Sequence, residues 1–231
     1  MPAGGPHDEY STQMTPNIIR EPAGPPMPTD TLRQILKRCL VVAVACLSTS
    51  PAIAQRGAMT VPRNLEQMVV HASDIVRGTV LSARVEKHPE LDNLDTLVVT
   101  LDVREAIKGG ARSTYTFRQY IWDLRDVRDA AGYHKGQEYV LLMNAPSRYG
   151  LTSPTGMEQG KFRVLRDASG REVAVNGRGN VFLMRGVAAD LAKSGATLSP
   201  DASSLVAKHQ RGPIPVGELV RLIRELARGS V

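Results

Sequence analysis

The chain has 231 residues, a formal net charge of +6 and an aromatic content of 4%. This length provides for one domain with a sizeable core, and the presence of only two cysteines excludes a disulfide-rich scaffold. The positive charge favours acidic partners, although solubility is the simpler interpretation of it.

The first 54 residues predict two segments that precede the folded domain. Residues 1–32 are rich in Pro, Gly and polar side chains without hydrophobic periodicity, which predicts a disordered segment or a misassigned start, with Met27 as the alternative start. Residues 33–54 predict a signal peptide. In it, basic residues precede the apolar run 39–47, which is too short to span a hydrocarbon core of about 30 Å, and small residues at 52–54 form a cleavage site.

We therefore expect an exported protein, periplasmic or secreted after cleavage near Ala54. Two alternatives stay open: a short buried helix at 39–47, and a lipoprotein signal that ends at Cys46. Cleavage removes both cysteines, Cys39 and Cys46, so the fold rests on burial without disulfides. It also removes equal numbers of basic and acidic residues, so the positive charge is retained.

Residues 64–176 predict a β domain that starts with a short helix. Apolar residues from Leu65 follow helical spacing, with Asn64 as the N-cap. Because no helix separates the strands that follow, the pattern predicts an antiparallel barrel or sandwich. Six stretches have the alternation or the short apolar run typical of strands: 74–86, 95–109, 113–122, 137–145, 160–167 and 171–176.

The alternation also predicts which side chains share a face. In the first strand the set is Ile75, Thr79, Leu81, Ala83 and Val85, with Gly78 at a bulge or a close contact. In the second strand the set is Leu97, Val99, Leu101 and Val103. Between the last two strands, Gly170 takes the positive-φ position of a hairpin loop.

The C-terminal part predicts a loose linker followed by a helix. Residues 177–212 are rich in Gly, Ala and Ser and suggest one short helix at Val187–Lys193. Residues 213–229 predict an amphipathic helix with one apolar stripe and an arginine-rich opposite face. The stripe is expected to dock on the domain, and peripheral membrane contact through the arginines is the alternative.

The stretch GMEQGKF at 156–162 is a near-match to a phosphate-binding loop. It is one residue too short, Phe162 replaces the hydroxyl that would hold magnesium, and a strand follows where a helix is required. We therefore predict no nucleotide or other cofactor. Gly156 and Gly160 are interpreted as turn and bulge positions, and Lys161 as a solvent-facing flank of the strand.

Metal and hydrolase sites receive only weak support. The acidic loop 86–95 can hold a hard cation, but a solvated hairpin connection is the simpler interpretation, and no metal site is predicted. Asp123, Asp126 and Asp129 lie near His134 and can serve as acid and base of a small metal-independent hydrolase. Because arginines alternate with these acids, neutralised surface charge is the simpler interpretation.

An aromatic cluster offers the best candidate for a contact surface. Aromatic side chains interleave with arginines over 112–122, and such pairs can stack on sugars or bases. If Tyr115 and Phe117 belong to the core, the exposed set is Arg118, Tyr120 and Trp122.

Four motifs in order, ASDIVRGTV, VREAIKG, GYHKGQEYVLLM and GMEQGKFRVLRD, resemble a pattern of exported bacterial proteins of unassigned function. The resemblance covers roughly residues 65–176 and implies an OB-type barrel of five to six strands. That barrel is related in shape to the inhibitory domain of tissue inhibitors of metalloproteinases and to netrin modules. The inhibitors act through an N-terminal cysteine, which a chain cleaved near Ala54 lacks.

The expected protein is thus mainly β, an OB-like barrel with a short N-terminal helix and a C-terminal amphipathic helix. Its expected role is that of an exported, non-enzymatic binding module of the cell envelope, with the hydrolase as the alternative. A protein or an anionic envelope polymer is the expected partner, and nucleic acid is not.

Overall fold

A computed structural model describes residues 60–122 and 124–229. The predicted start 1–32, the predicted signal peptide 33–54 and the cleavage site near Ala54 lie outside the described residues. So do both cysteines and Asp123, one of the acids proposed for a hydrolase.

The described chain has five helices and seven strands, connected by turns and two short 3₁₀ segments, Ala130–Gly132 and Met157–Gln159. The helices are α1 Leu65–His71, α2 Leu124–Arg128, α3 Val187–Lys193, α4 Pro200–Lys208 and α5 Val216–Gly229. The strands are β1 Asp74–Lys87, β2 Asp95–Lys108, β3 Thr114–Tyr120, β4 Glu138–Met143, β5 Lys161–Arg166, β6 Glu172–Asn176 and β7 Ile214–Pro215.

The seven strands form one antiparallel sheet in the order β3-β2-β1-β4-β5-β6-β7. The protein is therefore mainly β and antiparallel, as predicted, but the sheet is open and a barrel of five to six strands is not confirmed. The connection between β4 and β5 returns toward the edge strand β3, where Leu151 bridges Arg118 and the Thr152 amide donates to the Arg118 carbonyl (2.8 Å). This connection covers part of the free edge of β3.

Each face of the sheet contributes side chains to a core of its own. Ile75, Val140 and Phe162 lie in the first core, which the apolar sides of α1, α3, α4 and α5 complete. Val76 and Tyr139 lie in the second core, where β2 and β3 pack beside the Ala130–Gly132 segment. Adjacent residues of β1 thus enter opposite cores, because successive strand side chains point to opposite faces.

The predicted face of β1 is wrong over its second half. Leu81 and Val85 are exposed, whereas Val76 and Val80 are buried in the second core. Register shifts against β2 at three places interrupt the alternation, as β-bulges do. Gly78 makes the predicted close contact: a Cβ there would lie 2.5 Å from the Asp102 carbonyl oxygen.

The two predicted terminal helices are confirmed. In α1, the Asn64 side chain accepts from the Gln67 amide (3.0 Å), and the Gln67 side chain accepts from the Asn64 amide (3.2 Å), which completes a capping box. The apolar side of α5 is fully buried in the first core, so the stripe docks on its own domain. None of the described helices combines the length and apolar content needed to cross a bilayer.

Residues 177–212 are more ordered than the predicted loose linker. Val187–Lys193 is a helix as expected, and Pro200–Lys208 is a second one, which begins with Ser199 as N-cap and Pro200 in its first turn. Leu191 and Ala202 are buried in the first core, so both helices belong to the domain.

The predicted exposure of Lys161 is also wrong. It is only 9% exposed, with its ammonium 4.8 Å from the Tyr133 ring centroid and donating to the Ala131 carbonyl (2.8 Å). Gly156 has φ +65°, in agreement with its predicted turn position.

Candidate functional site

Charged side chains fill one end of the helix-covered face of the sheet. Arg77 on β1 donates from Nε to Glu138 on β4 (2.5 Å) and from Nη2 to Glu172 on β6 (2.6 Å). Arg104 and Arg166 approach the two carboxylates at 3.5–3.7 Å. Only 12% of the Arg77 side chain is exposed, so this ion network has a largely buried centre, while Arg104 and Arg166 are exposed at its margin.

The ion network shifts the pKa values of Arg77 and Glu172. Burial alone would lower the pKa of Arg77, but its hydrogen bonds to Glu138 and Glu172 outweigh burial and raise that pKa. The hydrogen bond from Arg77 also lowers the pKa of Glu172. Arg77 therefore stays charged, and the two carboxylates compensate its charge. Through these contacts it connects β1 with β4 and β6.

A cleft of about 470 Å³ opens beside this network, between α5 and the sheet. The sheet contributes Arg77 and Glu105 to its lining, and α5 contributes Glu218, Arg221 and Arg224. Helical spacing places these three α5 residues one turn apart on the polar side of the helix. The cleft is thus lined by charged groups whose availability depends on their partners inside the protein.

The carboxylates of α5 are all engaged within the protein. Glu218 accepts from His209 (2.5 Å) and from Lys208 (3.3 Å). Glu225 accepts from both the amide (2.6 Å) and the hydroxyl (2.9 Å) of Ser199, and so ties the start of α4 to α5. Glu218 and Glu225 therefore stabilise the packing of α4 against α5.

The arginines of α5 are engaged less. Arg224 pairs with Glu105 on β2. Arg221 and Arg228 are exposed, and within residues 60–122 and 124–229 neither has an ion-pair or hydrogen-bond partner. We call Arg221, Arg224 and Arg228 the arginine face. It presents two uncompensated positive charges to solvent.

A second, smaller groove of about 240 Å³ lies on the other side of the arginine face, between α4 and α5. Arg221 lines both this groove and the cleft, while Arg228 lines the groove alone. Asp201 is an exposed carboxylate in the groove, and the Glu225 carboxylate is held by Ser199. The two concave surfaces are thus adjacent and share Arg221 and Arg224.

The electrostatics of Glu218 keep it negative inside this surface. Burial alone would raise its pKa, but hydrogen bonds from His209 and Lys208 outweigh burial and lower the pKa of Glu218. Glu218 is therefore an acceptor of internal hydrogen bonds rather than a proton donor at neutral pH.

The structure brings together two of the three residues of the predicted contact surface. Tyr120 and Trp122 are about half exposed and meet edge to face, with ring centroids 4.9 Å apart. Arg118 instead donates to the Thr96 hydroxyl (2.5 Å) and the Lys87 carbonyl (3.2 Å). Tyr120 and Trp122 thus remain a predicted contact surface, and Arg118 lies against the sheet.

The acids proposed for a hydrolase do not form a cleft in the described part of the chain. Asp129 lies 3.3 Å from His134, and both side chains are more than half exposed. Asp126 accepts from the Trp122 amide (3.1 Å). In the acidic loop 86–95, His88 is buried against the Tyr149 carbonyl (2.8 Å), and the described residues contain no cluster of three metal-ligating side chains.

The arginine-rich side of the C-terminal helix was predicted, with membrane contact as its alternative role, but the cleft beside it was not. This cleft is completed by Arg77 and Glu105, which come from strands more than a hundred residues away in the chain. A usable local signal was the N-cap of α4, Ser199 followed by Pro200, which marks a helix start. A second helix beside α5 would have implied a groove along the arginines.

Comparisons of this chain with family models, curated proteins and solved structures returned no match.

Proposed function

We propose that the protein is an exported, non-enzymatic module that binds an anionic polymer of the cell envelope through the arginine face. One observation carries the proposal: Arg221 and Arg228 are exposed and have no partner in the described chain, while the two carboxylates of α5, Glu218 and Glu225, are held by internal contacts. Positive charge that a fold leaves uncompensated in a concave surface attracts anions.

The shape of the surface favours a polymer over a small anion. Residues 221, 224 and 228 follow one side of α5 and extend over about 10 Å, given a rise of about 1.5 Å per residue. The cleft and the groove lie on either side of this row and share Arg221 and Arg224. An extended chain with repeated negative groups can contact both surfaces at once.

The chemistry of arginine favours ligand chains that carry carboxylate, phosphate or sulfate groups. The guanidinium group pairs with such groups through two parallel hydrogen bonds and stays charged at all relevant pH values. Because the arginines are exposed, salt will screen the attraction. We therefore expect binding that weakens steeply with ionic strength.

The affinity of purified protein for defined polyanions tests this proposal. Polyglutamate, polyphosphate and dextran sulfate are compared with neutral dextran. The double variant Arg221→Gln/Arg228→Gln should bind the preferred polyanion at least about tenfold more weakly, since each lost charged hydrogen bond costs about 1.5–3 kcal/mol. The matched control is Arg128→Gln/Arg163→Gln, which removes two exposed arginines elsewhere.

Equal losses in the two double variants would indicate a bulk charge effect and contradict a site. The hydrolase alternative has its own test: degradation of a polymer that Asp129→Asn or His134→Gln abolishes would replace the binding proposal with an enzymatic one.

Export and barrel closure are separate parts of the proposal. The predicted signal peptide supports export, and sequencing the N-terminus of the released product tests it, since a product that retains residue 40 would contradict cleavage near Ala54. The bridge between Leu151 and Arg118 supports an OB-like curling of β1 to β5. An experimental structure in which the hydrogen bonding around these strands stays open would contradict a barrel.

A further inference from the structure

Exposed apolar side chains gather at one edge of the domain, away from the described cores. Val181 and Phe182 are 43% and 47% exposed in the turn segment 177–186, and Val61 is 77% exposed in the segment that enters the domain. The two segments run side by side: Arg178 donates to the Thr60 carbonyl (3.1 Å), and the Leu65 amide donates to the Leu183 carbonyl (2.8 Å). Val61 thus lies in the segment next to the turn that carries Val181 and Phe182.

The turn that carries Val181 and Phe182 is held by a buried amide pair. The Asn180 side chain accepts from the Asn176 amide (3.0 Å), and the Asn176 side chain accepts from the Asn180 amide (2.9 Å). Asn180 also donates to the carbonyls of Ala174 (3.0 Å) and Gly212 (2.8 Å). Because these bonds fix both sides of the turn, the exposed pair is presented in one conformation.

Phe182 adopts that conformation against its own preference. Its φ is +65°, a left-handed value that is rare for a bulky side chain. Strained backbone persists only where the surrounding contacts enforce it, and such sites are often functional. The Phe182 ring is exposed although its backbone is held in a strained turn, so it does not contribute to the hydrophobic cores of the protein.

The turn segment that carries Val181 and Phe182 is positively charged. Segment 177–186 contains Arg178 and Arg185 and no acidic residue, and both arginines are exposed. The Arg185 guanidinium lies 5.7 Å from the Phe182 ring centroid. The neighbouring Glu158 carboxylate is paired with Lys161 (2.7 Å). Apolar tips flanked by arginines match the boundary of a bilayer with anionic head groups.

We propose that Val61, Val181 and Phe182, with Arg178 and Arg185, form a docking edge that binds the surface of an anionic lipid bilayer. The apolar side chains insert at the level of the head groups, and the arginines pair with lipid phosphates. This site is separate from the arginine face of α5, shares no residue with it and does not depend on the polymer-binding proposal.

Vesicle sedimentation tests the docking edge. The full-length chain is expressed, the first residue of the purified product is determined, and binding is measured to vesicles of phosphatidylglycerol with phosphatidylcholine and of phosphatidylcholine alone. We expect binding to the anionic vesicles that decreases with salt. The variant Val181→Ser/Phe182→Ser should reduce the partition coefficient about tenfold or more. The control Leu81→Ser/Val85→Ser removes two other exposed apolar side chains and should leave binding unchanged.

A fluorescence measurement keeps the proposal testable if a retained N-terminal segment also binds lipid. Trp122 is the single tryptophan of the chain and lies outside the docking edge. Brominated lipids should quench the fluorescence of a Trp122→Phe/Phe182→Trp protein and leave that of Trp122 in the wild type unchanged. Circular dichroism confirms that each variant is folded, and Phe182→Gly, which fits the positive φ, replaces any variant that is not.

Three results would overturn the proposal. One is an equal effect of the two serine variants on vesicle binding. Another is quenching of Trp122 as strong as that of a tryptophan at position 182. The third is a change in sedimentation velocity on mutating Val181 and Phe182 without any change in vesicle binding, which would make the edge an interface between copies of the chain. Loss of polymer binding in Arg221→Gln/Arg228→Gln bears on none of these results.

Discussion

His209 Nε2 lies 2.5 Å from Glu218 Oε2, and this contact joins the end of α4 to the first turn of α5. Both side chains are largely buried, so the contact anchors the two helices that border the groove.

The contact predicts how stability depends on pH. The pKa of Glu218 is lowered from its ordinary value of 4.5 in the folded state, so its charged form stabilises the fold above pH 4.5. That contribution is lost as the pH falls through the lowered pKa. Glu218→Gln should reduce the free energy of unfolding at neutral pH by about 1–2 kcal/mol and flatten the loss of stability in acid. Urea unfolding over a pH series measures both effects.

Removal of the exposed Glu90 carboxylate by Glu90→Gln is the control for this prediction. An acid profile of Glu218→Gln that follows the wild type would show that the contact with His209 makes no net contribution.

Removal of Arg77 should reduce the free energy of unfolding more than removal of any exposed arginine. Arg77→Met leaves Glu138 and Glu172 close together, partly buried and without their main partner. Breaking a buried ion pair from one side costs about 3–5 kcal/mol. The triple variant Arg77→Met/Glu138→Gln/Glu172→Gln should recover a large part of that loss, because it removes the unpaired charges as well. Chemical denaturation of both variants tests this, and failure of the triple variant to recover stability would contradict an electrostatic origin.

Two glycines should respond to alanine in opposite ways. At Gly78 a Cβ would come within 2.5 Å of the Asp102 carbonyl oxygen, so Gly78→Ala must separate β1 from β2 and should cost about 1–3 kcal/mol. At Gly217 in α5 a Cβ would meet no atom within 4 Å, and Gly217→Ala should stabilise by up to about 1 kcal/mol. Thermal melts of the two variants compare the effects, and equal shifts would contradict the close approach of the strands at Gly78.

Substitutions at Asn180 and Phe182 should distinguish the contribution of hydrogen bonds from the cost of backbone strain in the turn of the docking edge. Asn180→Ala removes three side-chain hydrogen bonds at a buried position, and we expect a loss of about 2–4 kcal/mol. Phe182→Gly relieves a left-handed backbone that costs about 1–3 kcal/mol for a non-glycine residue, so stability should be retained or increase. Unfolding measurements decide the matter, and a stability loss for Phe182→Gly equal to that for Asn180→Ala would show that the ring packs on the fold.

The period-two pattern predicted β2 correctly and failed in part of β1. Leu97, Val99 and Leu101 share the side of β2 that enters the second core, and Val98, Thr100 and Asp102 lie on the other side. In β1 the register shifts against β2, and the strand extends beyond its pairing with β4, which ends at Thr79. Leu81 therefore lies where no second layer covers it. A local pattern contains no information on where a neighbouring strand ends.

The candidate site was less predictable than the strands for a similar reason. The polar side of α5 was evident from spacing, but the sequence does not show that Glu218 and Glu225 are bound to α4 while Arg221 remains uncompensated. Which ion pairs form depends on how the helices pack in the folded chain. Tyr120 and Trp122 were predicted as exposed because Tyr115 and Phe117 already satisfied the alternation of β3.

The first core has a consequence for the order in which the chain can fold. Leu65 and Met68 from the start of the domain pack in the same core as Leu219 and Ile223 from its last helix. Synthesis delivers a chain from its N-terminus, so this core stays open until α5 has emerged. A nascent chain that still lacks α5 therefore cannot complete its domain, and the last helix to be synthesised is the one that closes the first core.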